Sequence, residues 1–342
     1  MILRMPSYCR DFRCSAGDCS DTCCVGWEID IDRKMADYYL SLEGEFGERL
    51  RRNIACDDVY SFILKNERCP FLNECNLCDI ILNIGEDKLC HICDNHPRYY
   101  EWFNGLKEGG IGMCCEEAAR LILNNSDYSK YYDVEIPDED CDEYDEELYS
   151  FLLRAREKIF SFLSDDKSDL KRIVFRLLDY AEWVQCSIDN YDYDGDYSES
   201  CEKKEPMSVS DFKALLDIFG RIEPIDEKWL PFVDEIKDKV TKPDCDKYRD
   251  FLCNIGSYFV WRYFMKGVFD EEILSKVKLA VVAMVVLGVI FTAENADMEQ
   301  CVILAKNYSK EIEYSEENLE SLWDMTYTEE VFGTGYLCSV FE

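Results

Sequence analysis

The sequence predicts a mixed fold in two parts: an irregular, cysteine-rich, metal-stapled α+β domain over residues 1–125, and a mainly α-helical domain over residues 148–342. Three observations predict it. Thirteen of the twenty cysteines fall within residues 1–115, and the seven that follow (141, 186, 201, 245, 253, 301, 338) show no ligand spacing. An acidic stretch centred on PDEDCDEYDEE, residues 126–147, reads as a solvated linker. Beyond it, apolar residues recur at helical spacing almost to the end.

Taken in order, WEIDID at 27–32 alternates and predicts a short strand, and residues 33–53 predict a helix with Met35, Tyr38, Tyr39, Leu42 and Phe46 near one face. Residues 60–64, 79–84 and 99–103 predict strands, the first two flanking the turn RCPFLNECNLC. EEAARLIL at 116–123 predicts a helix. Helices are then expected over 148–163, 169–187, 210–219, 226–239, 244–266, 270–293, 296–313 and 316–325, with Ser208 and Asp211 as a capping box for the third of these. The uncharged run Leu279–Ala293 is fifteen residues long, short of the roughly 18 to 20 that span a bilayer, so a buried core helix is expected and no membrane span. DYDGD at 192–196 lacks the spacing and terminal glutamate of a calcium loop.

The formal net charge is −34, from 72 acidic and 38 basic residues. That field repels a phosphate backbone, which excludes nucleic acid as the main partner, and it attracts lysine-bearing surfaces. The start, MILRMPSYCRDF, has no apolar leader region, so a cytoplasmic location is expected, where clustered cysteines bind metal or do redox work more often than they form disulfides. The sequence leaves the oligomeric state open.

Four segments carry the cysteine signal. FRCSAGDCSDTCC spaces Cys14, Cys19, Cys23 and Cys24 as C-x4-C-x3-C-C; RCPFLNECNLC holds Cys69, Cys75 and Cys78; LCHICDNHPR holds Cys90 and Cys93; GMCCEEAAR holds Cys114 and Cys115. Thiolates are the ligands soft metals prefer, and short turns let two sulfurs face one ion. A mostly irregular region also needs a staple, which a metal centre supplies. With only two histidines in the chain, all-sulfur ligation fits structural zinc and a [4Fe–4S] cluster equally by residue type. Redox-active disulfides are the alternative use of such cysteines.

The string F-x-C-x4-C-x3-C-C-x-G-W-x-I at 12–29, with GEFGERL at 44–50, CPFLNECNLCDI at 69–80, LCHICDNHPR at 89–98 and CEEAARLIL at 115–123, resembles the flagellin lysine-N-methylase (FliB) family. The resemblance is strong over the first 125 residues; the helical remainder fits in length and character. The first segment is also similar to CxxCxxCC-type domains described as zinc- or iron-chelating. The resemblance implies methyl transfer from S-adenosylmethionine to flagellin lysines and a [4Fe–4S] cluster, with zinc as the alternative metal. The cysteines that match the family pattern are Cys14, Cys19, Cys23, Cys24, Cys69, Cys78, Cys90, Cys93 and Cys115; Cys9, Cys56, Cys75 and Cys114 are extras. Nine matches exceed one four-ligand shell, so either two centres exist or some matches are structural. His96 stands where the family has an aromatic residue before Pro-Arg.

The implied chemistry needs a neutral lysine amine and a way to hold a cation. Trp27 and Arg98 are the cofactor-binding candidates, Arg98 as an anchor for a carboxylate; Glu28, Tyr99, Tyr100 and Trp102 are neighbours that could assist. No G-x-G-x-G strand–turn–helix is present, so a Rossmann-type methyltransferase site is not expected. A non-enzymatic zinc- or iron-chelating or cluster-carrying protein is the competing reading.

Overall fold

The structure is a computed structural model in which residues 1–26, 29–56, 58–200 and 207–341 are described. Trp27 and Glu28 lie outside the described residues, so the strand expected over 27–32 is seen only at Asp30–Ile31.

The strands are β1 (Ile2–Pro6), β2 (Asp30–Ile31), β3 (Ile54–Cys56), β4 (Tyr60–Phe62), β5 (Arg98–Phe103), β6 (Leu106–Ile111) and β7 (Tyr131–Glu135). The helices are α1 (Arg33–Ser41), α2 (Gly44–Arg52), α3 (Asp79–Ile84), α4 (His91–Asn95), α5 (Glu116–Leu123), α6 (Glu146–Leu163), α7 (Leu170–Asp189), α8 (Val209–Phe219), α9 (Trp229–Lys239), α10 (Cys245–Tyr263), α11 (Gly267–Asp270), α12 (Leu274–Ala293), α13 (Met298–Glu313), α14 (Glu316–Thr328) and α15 (Thr334–Leu337). They form two compact units, each discontinuous in sequence. One comprises Arg13–Tyr99 with Cys115–Glu117; the other comprises Met1–Phe12, Tyr100–Cys114 and Ala118–Glu342.

The cysteine-rich unit has a three-stranded antiparallel sheet of order β2-β4-β3. Its core gathers Ile31, Tyr39, Leu50, Phe62 and Phe71 together with Cys69 and Cys90. Phe62 meets Phe71 edge-on at 5.1 Å and stacks near Tyr39 at 6.1 Å. Asp32 caps α1 by accepting from the Met35 amide at 3.0 Å, and its other oxygen accepts from the His91 amide at 2.9 Å, so one carboxylate fixes the starts of both α1 and α4. Two expectations are corrected here. The single helix over 33–53 is α1 and α2, because Leu42 turns extended and Gly44 takes φ +84°, a conformation that L side chains resist. Residues 79–84 form α3, not a strand. The short apolar run carries no decisive period, and only Ile80 is buried while Ile81 and Leu82 face solvent.

In the helical unit, β1 lies between β6, its parallel partner, and β7, its antiparallel partner, in a sheet of order β5-β6-β1-β7. Strand β7 comes from the acidic stretch 126–147, and Arg4 on β1 grips Asp133 on β7 with two 2.9 Å hydrogen bonds. Helix α12 is the centre of the core. It is long and apolar enough to cross a membrane by length and composition, with a mean hydropathy of 2.2 over its most apolar 18-residue window, but 94% of that window is buried inside the fold. That matches the expected core helix: a helix apolar on all sides must be covered on all sides. Helices α7, α10, α13 and α14 pack on it. Its approach to α10 is close enough that a Cβ on Gly256 would meet Met284 Sδ at 2.8 Å. The buried Arg156 on α6 pairs in bidentate fashion with the buried Glu108 on β6 at 2.5 and 2.6 Å. The expected Ser208–Asp211 capping box starts α8.

Candidate functional site

The cysteine segments are shaped by backbone pairing and side-chain locks. The Cys69 amide donates to the Cys24 carbonyl at 2.8 Å and the Gly26 amide to the Glu67 carbonyl at 2.9 Å, which sets Cys24 alongside Cys69. The turn that follows is held from within: Asn73 Oδ1 accepts from the amides of Cys75 and Leu77 at 2.9 and 3.0 Å, and Leu72 bridges to Cys78. Arg49 clamps its outside, donating to the Pro70 carbonyl and to Asp79 at 2.7 Å each. Cys90 is the N-cap of α4, so Cys93 falls three residues later on the same face.

These locks bring five of the nine predicted ligands together. Cys69 and Cys90 are buried in the unit's core, and Cys24, Cys78 and Cys93 pack against it. The Cys90 and Cys93 thiols are hydrogen-bonded, which lowers the Cys90 pKa and raises that of Cys93, whose burial adds to the rise. A hydrogen bond from Cys23 brings Cys24 down to about 7, against the effect of burial and with help from Thr22 and Arg68. Burial pushes Cys69 up to about 12 and also raises Cys78. Cys93 feels Cys24 and Cys69 as well as its partner, and Tyr39, raised chiefly by burial, feels Cys90, Cys93 and Cys78.

A second gathering is looser. Cys23 feels Cys14 and Cys115 besides Cys24. Ser20 ties the first cysteine loop to Glu116 through its amide, at 3.1 Å, and its hydroxyl. Cys19 donates its thiol to the Asp21 carbonyl at 3.1 Å. Exposure does not divide the predicted ligands from the extras: Cys14, Cys23, Cys56 and Cys75 are exposed, and Cys9 and Cys114 are buried.

The donor chemistry suits a thiophilic metal, since every converging group is a sulfur. Among the described residues, no group of three or more His, Cys, Asp or Glu side chains is arranged to hold a metal ion.

Of the cofactor candidates, Trp27 lies outside the described residues. Arg98 is exposed at the start of β5 and donates to the Asp94 carbonyl at 3.3 Å. Tyr100 and Trp102 flank the Lys107 ammonium, 4.6 Å from each ring, and Glu139 pairs with that ammonium at 2.9 Å. Those two aromatics are therefore engaged within their own sheet.

The helical unit holds a polar cluster that the sequence reading missed. Glu313, the last residue of α13, has a fully buried side chain (0% exposed). Its Oε2 accepts from the Tyr258 hydroxyl at 2.6 Å and pairs with Arg262 Nη1 at 2.9 Å. Arg262 also donates to the Tyr258 oxygen at 2.9 Å, and the Met113 amide donates to that same oxygen at 3.1 Å. The signal that could have found this cluster is Arg262 itself, a single charge inside the apolar run GSYFVWRYF, which folding can bury only with a partner.

The comparisons with known proteins agree with one another. The family model described as the FliB lysine N-methylase C-terminal domain matches residues 110–340. The chain is 28% identical over 134 residues, 36% of its length, to the flagellar biosynthetic protein FliU of Salmonella muenchen, covering 77% of that protein. At the same identity and length it matches the lysine-N-methylases of Salmonella choleraesuis and Salmonella typhimurium, covering 32% of each. The match thus spans about a third of the two methylases. No solved structure matches this chain. The resemblance read from the cysteine segments and the match over the helical region converge, and the chain belongs to the FliB lysine N-methylase family.

Proposed function

We propose that this protein transfers a methyl group from S-adenosylmethionine to lysine side chains of flagellin in the cytoplasm. The family match over residues 110–340 carries this reading, and the names of the curated relatives and the net charge of −34, which favours a lysine-bearing substrate, support it. In the reaction the neutral lysine amine attacks the methyl carbon. The N–C bond forms as the S–C bond breaks, S-adenosylhomocysteine leaves, and the methylated amine sheds one proton. The amine must lose its own proton first, so activity should rise with pH until that deprotonation is complete. The reading includes a metal centre held by Cys14, Cys19, Cys23, Cys24, Cys69, Cys78, Cys90, Cys93 and Cys115, with a [4Fe–4S] cluster preferred over zinc. The two thiol gatherings support it, and in a reducing cytosol such thiols stay available.

Protein purified without oxygen, mixed with flagellin and methyl-labelled S-adenosylmethionine, is expected to place label on flagellin lysines. No transfer by metal-replete protein would overturn the reading. A brown preparation is expected; a colourless one carrying stoichiometric zinc would refute the cluster while leaving the methylase standing.

A further inference from the structure

The sheet of the helical unit ends on a strand whose outer edge is free. In the order β5-β6-β1-β7, β7 is terminal and pairs with β1 alone. The register fixes which of its backbone groups are used. At one end the Ser7 amide donates to the Lys130 carbonyl at 2.8 Å, and at the other the Ile136 amide donates to the Met1 carbonyl at 3.0 Å. Between them Tyr132 stands opposite Met5 and Val134 opposite Leu3. Antiparallel strands exchange their hydrogen bonds at every second residue, so positions 130, 132, 134 and 136 face β1. The N–H and C=O groups of Tyr131, Asp133 and Glu135 therefore face outward. All three residues are exposed, and among the described residues none of these six groups has a hydrogen-bond partner.

A bare strand edge is a template for another strand, and folds that leave one open mark it against unwanted partners. Here the mark is acidic. Residues 131–147 carry ten acidic residues and no basic one, and among the described residues Glu135, Asp140, Asp142 and Glu143 make no ion pair. A second copy of this chain pairing edge to edge would set acid against acid. A lysine-bearing strand would meet opposite charge. The side chains of Tyr131, Asp133 and Glu135 share one face of the sheet, and Val134, 45% exposed, lies on the other. We propose that the outer edge of β7 docks an extended, lysine-bearing segment of the protein substrate as a fifth strand. Its backbone pairs with the outward groups of Tyr131, Asp133 and Glu135, and its lysines, at alternate positions, lie beside Glu135 and the acids that follow β7. The identity of that segment as flagellin rests on the methylase reading.

The test measures, by calorimetry on the full chain, binding of a short capped peptide of alternating lysine and threonine. Wild type is expected to bind it and to ignore the same peptide with glutamate for lysine. Methylating the peptide's backbone nitrogens removes every donor and keeps every charge, so its Kd should rise about tenfold or more. That arm needs no variant. Glu135→Pro removes one outward N–H and puts a ring on the edge while sparing the ladder to β1, and it should also raise the Kd about tenfold. Glu135→Gln keeps the N–H and should raise it only about threefold, the share of one exposed charge. Equal binding of the methylated peptide, equal losses in the two variants, or no binding by wild type overturns the docking edge. So does a dimer that Glu135→Pro dissociates, which would give the edge to a second copy. With flagellin and labelled S-adenosylmethionine, Glu135→Pro should raise KM and leave kcat. Wild type that binds the peptide at this edge yet labels no flagellin lysine keeps the docking edge and refutes the methylase reading. Wild type that labels flagellin with a KM unmoved by Glu135→Pro does the reverse.

Discussion

In the cysteine-rich unit the longest described helices, α1 and α2, run nine residues, and the strands run two or three. In the helical unit α7 and α12 reach twenty residues, and α12 is covered on every side. Helices of nine residues are marginal in water by themselves, because the first turn is costly to nucleate. The cysteine-rich unit compensates with side chains that lock the backbone from place to place: Asp32 across two helix starts, Arg49 across the 69–79 turn, and thiols packed into the core itself. The helical unit rests on apolar burial, which is non-directional and spread over many residues. One unit therefore depends on a few chemical groups and the other on bulk. The same substitution, cysteine to serine, should weigh most on the cysteine-rich unit.

The largest effect expected is the loss of one unit alone. Replacing Cys69 and Cys90 together with serine puts two more polar hydroxyls in place of core thiols and removes two of the proposed ligands. Scanning calorimetry should then show the transition of the cysteine-rich unit vanish and that of the helical unit persist. Anaerobic treatment of wild type with a strong chelator should have the same effect. Serine at the exposed Cys186 on α7 should leave both transitions in place. If the double variant melts as wild type does, the contrast between the units fails.

Next in size is the converse test. Leu287 on α12 is fully buried, and truncation to alanine there should cost about 2 to 5 kcal/mol, the range for deleting a large aliphatic group from a packed core. That cost should fall on the helical transition in urea or heat and leave the other where it was. A loss shared equally by both would mean that they unfold as one cooperative body.

How much of this was legible in the sequence follows the same division. The helical unit was read almost element by element, because amphipathic spacing and caps such as Ser208–Asp211 act locally. Its sheet was not. Strand β1 pairs with β6 and β7, more than a hundred residues away, and nothing local in ILRMP announces those partners. In the cysteine-rich unit the spacing marked the cysteine segments but not which sulfurs share a core; Cys24, Cys69, Cys78, Cys90 and Cys93 do. Spacing could not give the angle at which they meet, because that is set by Asn73, Arg49 and Asp32, residues whose roles appear only once the turns close. For the Glu313 cluster the sequence offered only half a signal: Arg262 inside an apolar run demanded a buried partner, but Glu313, about fifty residues away, looks like ordinary surface by itself.

The smallest effect concerns the seam where the acidic stretch joins the helical unit's sheet. A hydrogen bond from Arg4 lowers the Asp133 pKa, against a small opposing effect of burial. A depressed carboxyl contributes stability above its unfolded pKa of about 3.9 and loses it as pH falls through the lower folded value. The Asp133 side chain is 40% exposed, so solvent screens the pair and its worth should not exceed about 1 kcal/mol. Asp133→Asn should therefore lower the helical transition slightly at neutral pH. As pH falls below about 3.9 and through the lower folded value, the variant and wild type should converge, since the wild-type carboxyl is then being protonated as well. Raising the salt concentration should narrow the neutral-pH gap in the same direction. A gap that persists in acid and salt would show that Asp133 holds β7 by shape and not by charge, and would move this strand from the electrostatic to the packed side of the comparison.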